Sequence, residues 1–169
     1  MLDLESAIAA QRKAADAFKA AALRVNESAW NTPRAPGKWS PAQVTDHVGV
    51  TVKLARGAMG GKSPMGSLPF FLRPILRSFF FEPVLKKGFP KKGKGHSVFA
   101  PAHSPMPRDQ LCARIDSEVA ALEADARAMA NSGKVEFTRG FFGRVPVADY
   151  VMFNALHFDR HREQLPVGQ

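Results

Sequence analysis

The sequence predicts an all-α fold, a four-helix bundle of up-down-down-up connectivity with one long crossover between its second and third helices. Three observations predict it. Four stretches repeat apolar residues at steps of three and four, the rhythm of helices with one buried side. No two segments read as a convincing pair of strands. About forty residues rich in proline and phenylalanine separate the second helix from the third, enough to let those two run parallel. At 169 residues with no break in composition, the chain 1–169 reads as one domain with a substantial core.

The first helix is expected from about Leu4 to Val25. Leu4, Ile8, Gln11, Ala15, Phe18, Ala22 and Val25 form a narrow apolar seam, and Arg12, Lys13, Asp16 and Lys19 cover much of the other side. Asn31-Thr32-Pro33-Arg34-Ala35-Pro36-Gly37 then breaks the helix into a loop. The second helix has an explicit start: Ser40 caps it, Pro41 suits the first turn, and Gln43 returns a bond to complete a capping box. Trp39 and Val44 sit where a hydrophobic staple would hold the entry angle. The helix continues to about Ala58, with Val44, His47, Val48, Thr51, Leu54 or Ala55, and Ala58 facing inward. His47 therefore lies on an apolar stripe.

Gly57-Ala58-Met59-Gly60-Gly61-Lys62-Ser63 fails as a phosphate loop. Arg56 stands where the first glycine is required, and the segment follows a helix instead of a strand, so it reads as a helix stop. In the crossover, from about Ser63 to Met106, Leu72, Ile75, Leu76, Phe79 and Phe80 are expected on one face of a short helix, with Arg73 and Arg77 off it. The segment reads as a flap packed on the bundle; a lid over a pocket or a membrane-surface anchor are the sharper alternatives. His96 and His103 fall in loop-like sequence and read as exposed.

The third helix starts near Pro107, with Asp109 in its first turn, and runs to Asn131, where Ser132-Gly133 ends it. Leu111, Ile115, Val119, Leu122, Ala126 and Met129 form its inward stripe, and Cys112 beside them reads as packing, not as a nucleophile. Val135 to Val145, with Phe137, Phe141 and Phe142, reads as a short apolar loop leading into the fourth helix. If Pro146 opens that helix at its first position, Val147, Tyr150, Val151, Asn154, His157, His161 and Leu165 face inward. Asp159, Arg160, Arg162 and Glu163 then fall mostly on the wet side.

Residues four apart share a helix face, so His157 and His161 can offer two imidazoles to one point. Taken alone, such a pair is either two hydrogen-bonded core histidines or metal-ligand spacing. A bundle in which the second and fourth helices are neighbours adds His47 and makes a triad, where this architecture builds its sites. Three neutral imidazoles suit zinc, nickel, iron or copper and leave a position open for water or substrate. Phe158 follows His157, so the H-E-x-x-H pattern and its general base are absent. The chemistry favoured is activation of a metal-bound nucleophile, a thiolate or water, toward an electrophilic small molecule. Asn154 could bond to a ligand or be satisfied locally, and Tyr150 could orient substrate or be anchored in the core.

The net charge of +9 raises nucleic acid or an anionic surface as partners. Much of the excess is Lys86, Lys87, Lys91, Lys92 and Lys94, mixed with Gly88, Pro90, Gly93 and Gly95, which reads first as a solvated loop. The single cysteine excludes an internal disulfide and is compatible with a reducing compartment. Met1-Leu2-Asp3-Leu4-Glu5 is acidic where a signal peptide is basic, and no apolar run approaches the roughly 18 residues of a spanning helix. A cytoplasmic protein is expected.

Gly37-Lys38-Trp39-Ser40-Pro41 followed by His47, the lead-in Phe141-Phe142-Gly143, and His157-x-x-x-His161 followed by Gln164-Leu165 together resemble the DinB/YfiT-like superfamily of metalloenzymes. The resemblance covers the start of the second helix and about the last thirty residues by motif, and the middle by architecture. It implies a four-helix bundle holding a divalent metal on a triad that here would be His47, His157 and His161. It also implies relatives that are S-transferases and isomerases using low-molecular-weight thiols, and a homodimer. The long basic, phenylalanine-rich crossover departs from the short-loop members.

The reading taken forward is a metal-dependent enzyme, a thiol-dependent transferase, isomerase or hydrolase acting on a small molecule. A non-enzymatic bundle, metal-stabilised or metal-free, is one alternative. A basic protein docking on nucleic acid or an anionic membrane through Lys86 to Lys94 and the Phe79-Phe80-Phe81 face is another.

Overall fold

The computed structural model describes residues 2–62, 67–91, 97–102 and 106–166. His96, His103, Lys92 and Lys94, with Gly93 and Gly95, lie outside the described residues, so the readings placed on them stay with the sequence.

The protein is mostly helical, as its sequence periodicity requires. Its four long helices are α1 (Leu4–Leu23), α3 (Pro41–Met59), α6 (Arg108–Asn131) and α7 (Val147–Arg162). A single turn, α2 (Glu27–Trp30), follows α1 and buries Trp30 under the Arg108 guanidinium, 4.4 Å from the ring centre. The expected seam of α1 is the observed one: Ile8, Gln11, Ala15, Phe18, Ala22 and Val25 are all buried. The capping box of α3 forms in full, with Gln43 N–H donating to Ser40 Oγ at 3.2 Å and Ser40 N–H to Gln43 Oε1 at 3.0 Å. Leu111, Ile115, Val119, Leu122 and Ala126 bury the inward side of α6.

α1 packs on α6 and α7, and α3 packs on the same two helices. Phe18 of α1 meets Phe158 of α7 edge-on, their ring centres 5.9 Å apart, in the middle of the core. Ion pairs line the seams. Glu5, Arg12 and Lys19 of α1 pair with Arg127, Glu123 and Asp116 of α6. Asp46 of α3 pairs with Arg114, and Arg56 with both Glu118 and Asp125. Glu123 is buried, and the Arg12 fork satisfies both its oxygens from Nε at 2.9 Å.

Two expectations need correction. The segment read as an apolar loop before the fourth helix is an antiparallel hairpin, β1 (Glu136–Arg139) and β2 (Gly143–Pro146), in the register Phe137 opposite Val145. Its physical cause is local. Phe137 and Val145 bury one face, Glu136 and Arg144 pair at 2.6 Å, and Gly143 takes the positive φ of 69° that the return requires. Pro146 consequently ends β2 and stands at the N-cap, so α7 begins at Val147, one residue after the expected start.

The second correction concerns the crossover helix. It is longer than expected, running as α4 (Arg73–Leu76), a π-helical turn (Arg77–Phe81) and α5 (Glu82–Lys87). Neighbouring residues of a helix point about 100° apart, so Ile75 and Leu76, and likewise Phe79 and Phe80, do not share one face. Leu76 and Phe80 pack on the core and Phe81 and Val84 are buried, while Leu72, Ile75 and Phe79 face solvent. No helix among the described residues is long and apolar enough to cross a membrane.

Candidate metal centre

The centre is built from α3 and α7. The Ser40 cap fixes α3 less than two turns before His47, and the hairpin feeds α7 so that its third and fourth turns carry His157 and His161. The three expected histidines come together. Their ring centres lie 4.4 to 5.2 Å apart, and one nitrogen from each falls within 4.8 Å of the others. His47 and His161 are buried and His157 is half-buried.

The hydrogen bonds assign the nitrogens. His47 Nδ1–H donates to the Phe99 carbonyl at 2.5 Å, since a carbonyl only accepts. His161 Nδ1–H donates to Gln164 Oε1 at 2.8 Å. The Thr51 hydroxyl donates to the Val48 carbonyl at 2.8 Å, so its oxygen accepts from His157 Nδ1–H at 3.4 Å. The Nδ1 atoms of all three rings are thus engaged by the protein, which turns the Nε2 edges of His157 and His161 toward each other.

His157 Nε2 and His161 Nε2 stand 3.0 Å apart, a spacing that a shared proton or a shared cation can bridge. Two nitrogens bound to one zinc at ~2.0–2.1 Å and a tetrahedral angle stand roughly 3.3 Å apart, close to the separation the helix already imposes. The donor set therefore fits a divalent cation of the imidazole-preferring kind.

The electrostatics agree. Burial first, then the neighbouring imidazoles, pushes His157 well below the ordinary histidine value of 6.5. Burial and then His47 push His161 down to about 3, and burial lowers His47 against the opposing pull of the Phe99 carbonyl. Neutral imidazoles are the form that binds metal, and here they need no deprotonation at neutral pH.

Parts of the crossover lie against the triad, as the flap and lid readings of its sequence allow. The Phe89 ring centre lies 5.2 Å from that of His157, and Trp39 lies 4.7 Å from His47. Arg160 holds the strand of chain beyond Phe89 by donating to the Pro90 and Lys91 carbonyls at 3.2 and 2.7 Å. Asp46, beside His47, holds the far end by accepting from Ala102 N–H at 2.7 Å. Arg114 of α6 in turn donates to Asp46 Oδ1 at 2.6 Å and to its carbonyl at 2.8 Å. Gln164 could have been found from its step of three after His161; Phe89 and Phe99, in aperiodic sequence, gave no signal.

Asn154 is not drawn into the centre: its amide donates to the Tyr150 carbonyl one turn back at 2.8 Å. Tyr150 is buried and packs edge-on against Phe137 at 5.0 Å. Cys112 is buried, and burial pushes its thiol above the ordinary value, which suits packing and disfavours a thiolate.

A helical protein presenting three inward imidazoles to one point defines a class, that of proteins able to bind a divalent metal between helices. The chain matches the model of the DinB superfamily over residues 10–165, nearly its whole length, and it belongs to that superfamily. No curated protein and no solved structure matches it.

Proposed function

We propose that this DinB superfamily protein is a metal-dependent enzyme in which Nε2 of His47, His157 and His161 holds one divalent cation, zinc, nickel or iron. The single observation carrying the reading is the convergence of three imidazoles, one nitrogen from each within 4.8 Å of the others, with every Nδ1 engaged by the protein. When bound, such a cation supplies Lewis-acid activation of a nucleophile toward a small electrophile. The reaction class that suits this is thiol-dependent S-transfer or isomerisation, or hydrolysis. The thiol would be a low-molecular-weight co-substrate, because Cys112 lies in α6, buried and protonated.

The chain's own residues prepare the site. Phe99, Thr51 and Gln164 orient the rings, and Phe89 and Trp39 form its apolar wall. Asp46 is bound to Arg114 and Ala102, so its carboxylate serves the scaffold and not proton transfer. The proposed scaffold is a four-helix bundle of up-down-down-up order. Pair order supports it: positions rise in α1 as they fall in α6, rise together in α3 and α6, and run oppositely between His47–Thr51 and His161–His157.

Elemental analysis of untagged protein tests the reading. About one divalent metal per chain is expected in the wild type, lost in His157→Ala and in His47→Ala. A metal-free wild type that also takes up no zinc, nickel or iron would end it. A second reading, a metal that only fastens the crossover, is favoured by the bond from His47 to Phe99. It predicts that the loaded protein turns over no thiol or ester substrate while chelation loosens residues 97–102 in hydrogen exchange.

A further inference from the structure

The outer side of the crossover helix carries the largest unexplained apolar surface among the described residues. Phe70, Phe71, Ile75 and Phe79 are 78%, 60%, 54% and 81% exposed, and Leu72 is 38% exposed. Phe71, Ile75 and Phe79 recur at steps of four, and Phe70 packs edge-on against Phe71 with ring centres 5.7 Å apart. The patch thus runs from the turn at Phe70–Leu72 through Ile75 of α4 to Phe79 of the π-helical turn, on an element whose Leu76, Phe80, Phe81 and Val84 are anchored in the core. Bulky side chains so exposed and contiguous mark a docking surface, not the scattered single residues of an ordinary exterior.

Charge selects the occupant. Between positions 63 and 106 the sequence holds seven lysines and arginines and one acid, Glu82, so most of the chain's net +9 sits in this crossover. Glu82 is paired with Arg77, which leaves the cations in excess. Lys86 and Lys87, both exposed, follow at the end of α5, and exposed Lys91 comes after them. Phenylalanine and isoleucine flanked by lysine, on a helix too short and too charged to span, is the composition of an element that lies in the plane of a bilayer interface. The two arginines within this stretch are turned back onto the protein, Arg73 donating to the Leu68 carbonyl and Ser67 and Arg77 to Glu82 and the Arg144 carbonyl, so the rings are not interleaved with free cations as on a nucleic-acid platform.

We infer that the crossover helix docks the protein on an anionic lipid surface, with Phe70, Phe71, Ile75 and Phe79 entering the acyl boundary and Lys86, Lys87 and Lys91 facing the headgroups. The two contributions are separable. The apolar strip gives partition into any fluid bilayer, and the lysines give the preference for negative lipid, at about fivefold per lysine.

Flotation of the full chain with phosphatidylcholine vesicles, and with phosphatidylcholine–phosphatidylglycerol vesicles, tests the proposal at low and high salt. The wild type should float with the mixed vesicles and less with the neutral ones, the difference shrinking as salt rises. Lys86→Gln with Lys87→Gln should remove roughly 25-fold of the binding to mixed vesicles and little of the rest. Phe71→Ser with Phe79→Ser should lower binding to both vesicle types by at least roughly tenfold per ring. Because these side chains are exposed, thermal melts should match the wild type and keep the comparison clean. Three results would overturn the inference: a folded wild type that floats with neither vesicle; a vesicle-blind dimer that Phe79→Ser converts to monomer, which assigns the strip to a second copy; or binding of an oligonucleotide without binding of vesicles.

Discussion

At the scale of single residues, Gln164 is the informative one. It fixes the His161 tautomer by accepting from Nδ1, and such partners typically govern metal affinity by 10–100-fold. Gln164→Leu is accordingly expected to weaken metal binding by about that factor in a chelator competition, with the fold intact; unchanged affinity would remove Gln164 from the centre. The same imidazoles set a pH dependence in the metal-free protein. Their folded values lie below the ordinary 6.5, so the unfolded chain binds more protons beneath that pH. The stability they allow is complete above about 6.5 and is lost as pH falls toward the value of about 3 at His161. Urea midpoints of the metal-free wild type should fall between pH 6.5 and 5, approaching ~1.4 kcal/mol per pH unit for each histidine. The His157→Ala, His161→Ala double variant should lose most of that slope.

At the scale of elements, α3 meets α6 through Gly49. A Cβ there would stand 2.8 Å from Arg114 Nε and Nη2, and that guanidinium is held in place by Asp46. Gly49→Ala must therefore push the end of the flexible Arg114 side chain aside and strain its bonds to the buried Asp46. We expect a loss of roughly 0.5–1.5 kcal/mol in denaturant unfolding, the scale of one weakened hydrogen bond. In an Arg114→Ala background the sign should reverse, because alanine is the better helix former by ~1 kcal/mol once the space is empty. A Gly49→Ala penalty that persists without Arg114 would show that the glycine serves something else. The hairpin is a lesson at the same scale. Phe137 and Val145 alternate with polar neighbours over only four residues per strand, too short a period-two signal to outweigh the aromatic run Phe141-Phe142 beside it.

At the scale of the whole molecule, the triad joins α3, α7 and the crossover, so the proposed metal acts as a cross-link as well as a reagent. A ligand at a hundred times its dissociation constant stabilises by about 2.7 kcal/mol. For a chain of this size that is roughly 5–10 °C in Tm. Zinc, nickel or iron should raise the melting temperature of chelator-treated wild type by this amount and leave His157→Ala unmoved. No shift with any of them would count against the metal and against the centre as drawn.

The sequence by itself determined the four long helices, the capped start at Ser40, and the inward side carrying His47, His157 and His161, because helix periodicity and capping act within a few residues. It also marked the superfamily, whose motifs cluster at those helix ends. The tertiary structure alone decided the rest. Helix period places side chains on faces but says nothing of which coil crosses them, so only folding brought Phe89, Phe99 and Ala102 over the triad. Likewise, packing divided the apolar run of the crossover helix into a side held by the core, with Leu76 and Phe80, and a side left to solvent, with Ile75 and Phe79, a choice invisible to hydropathy.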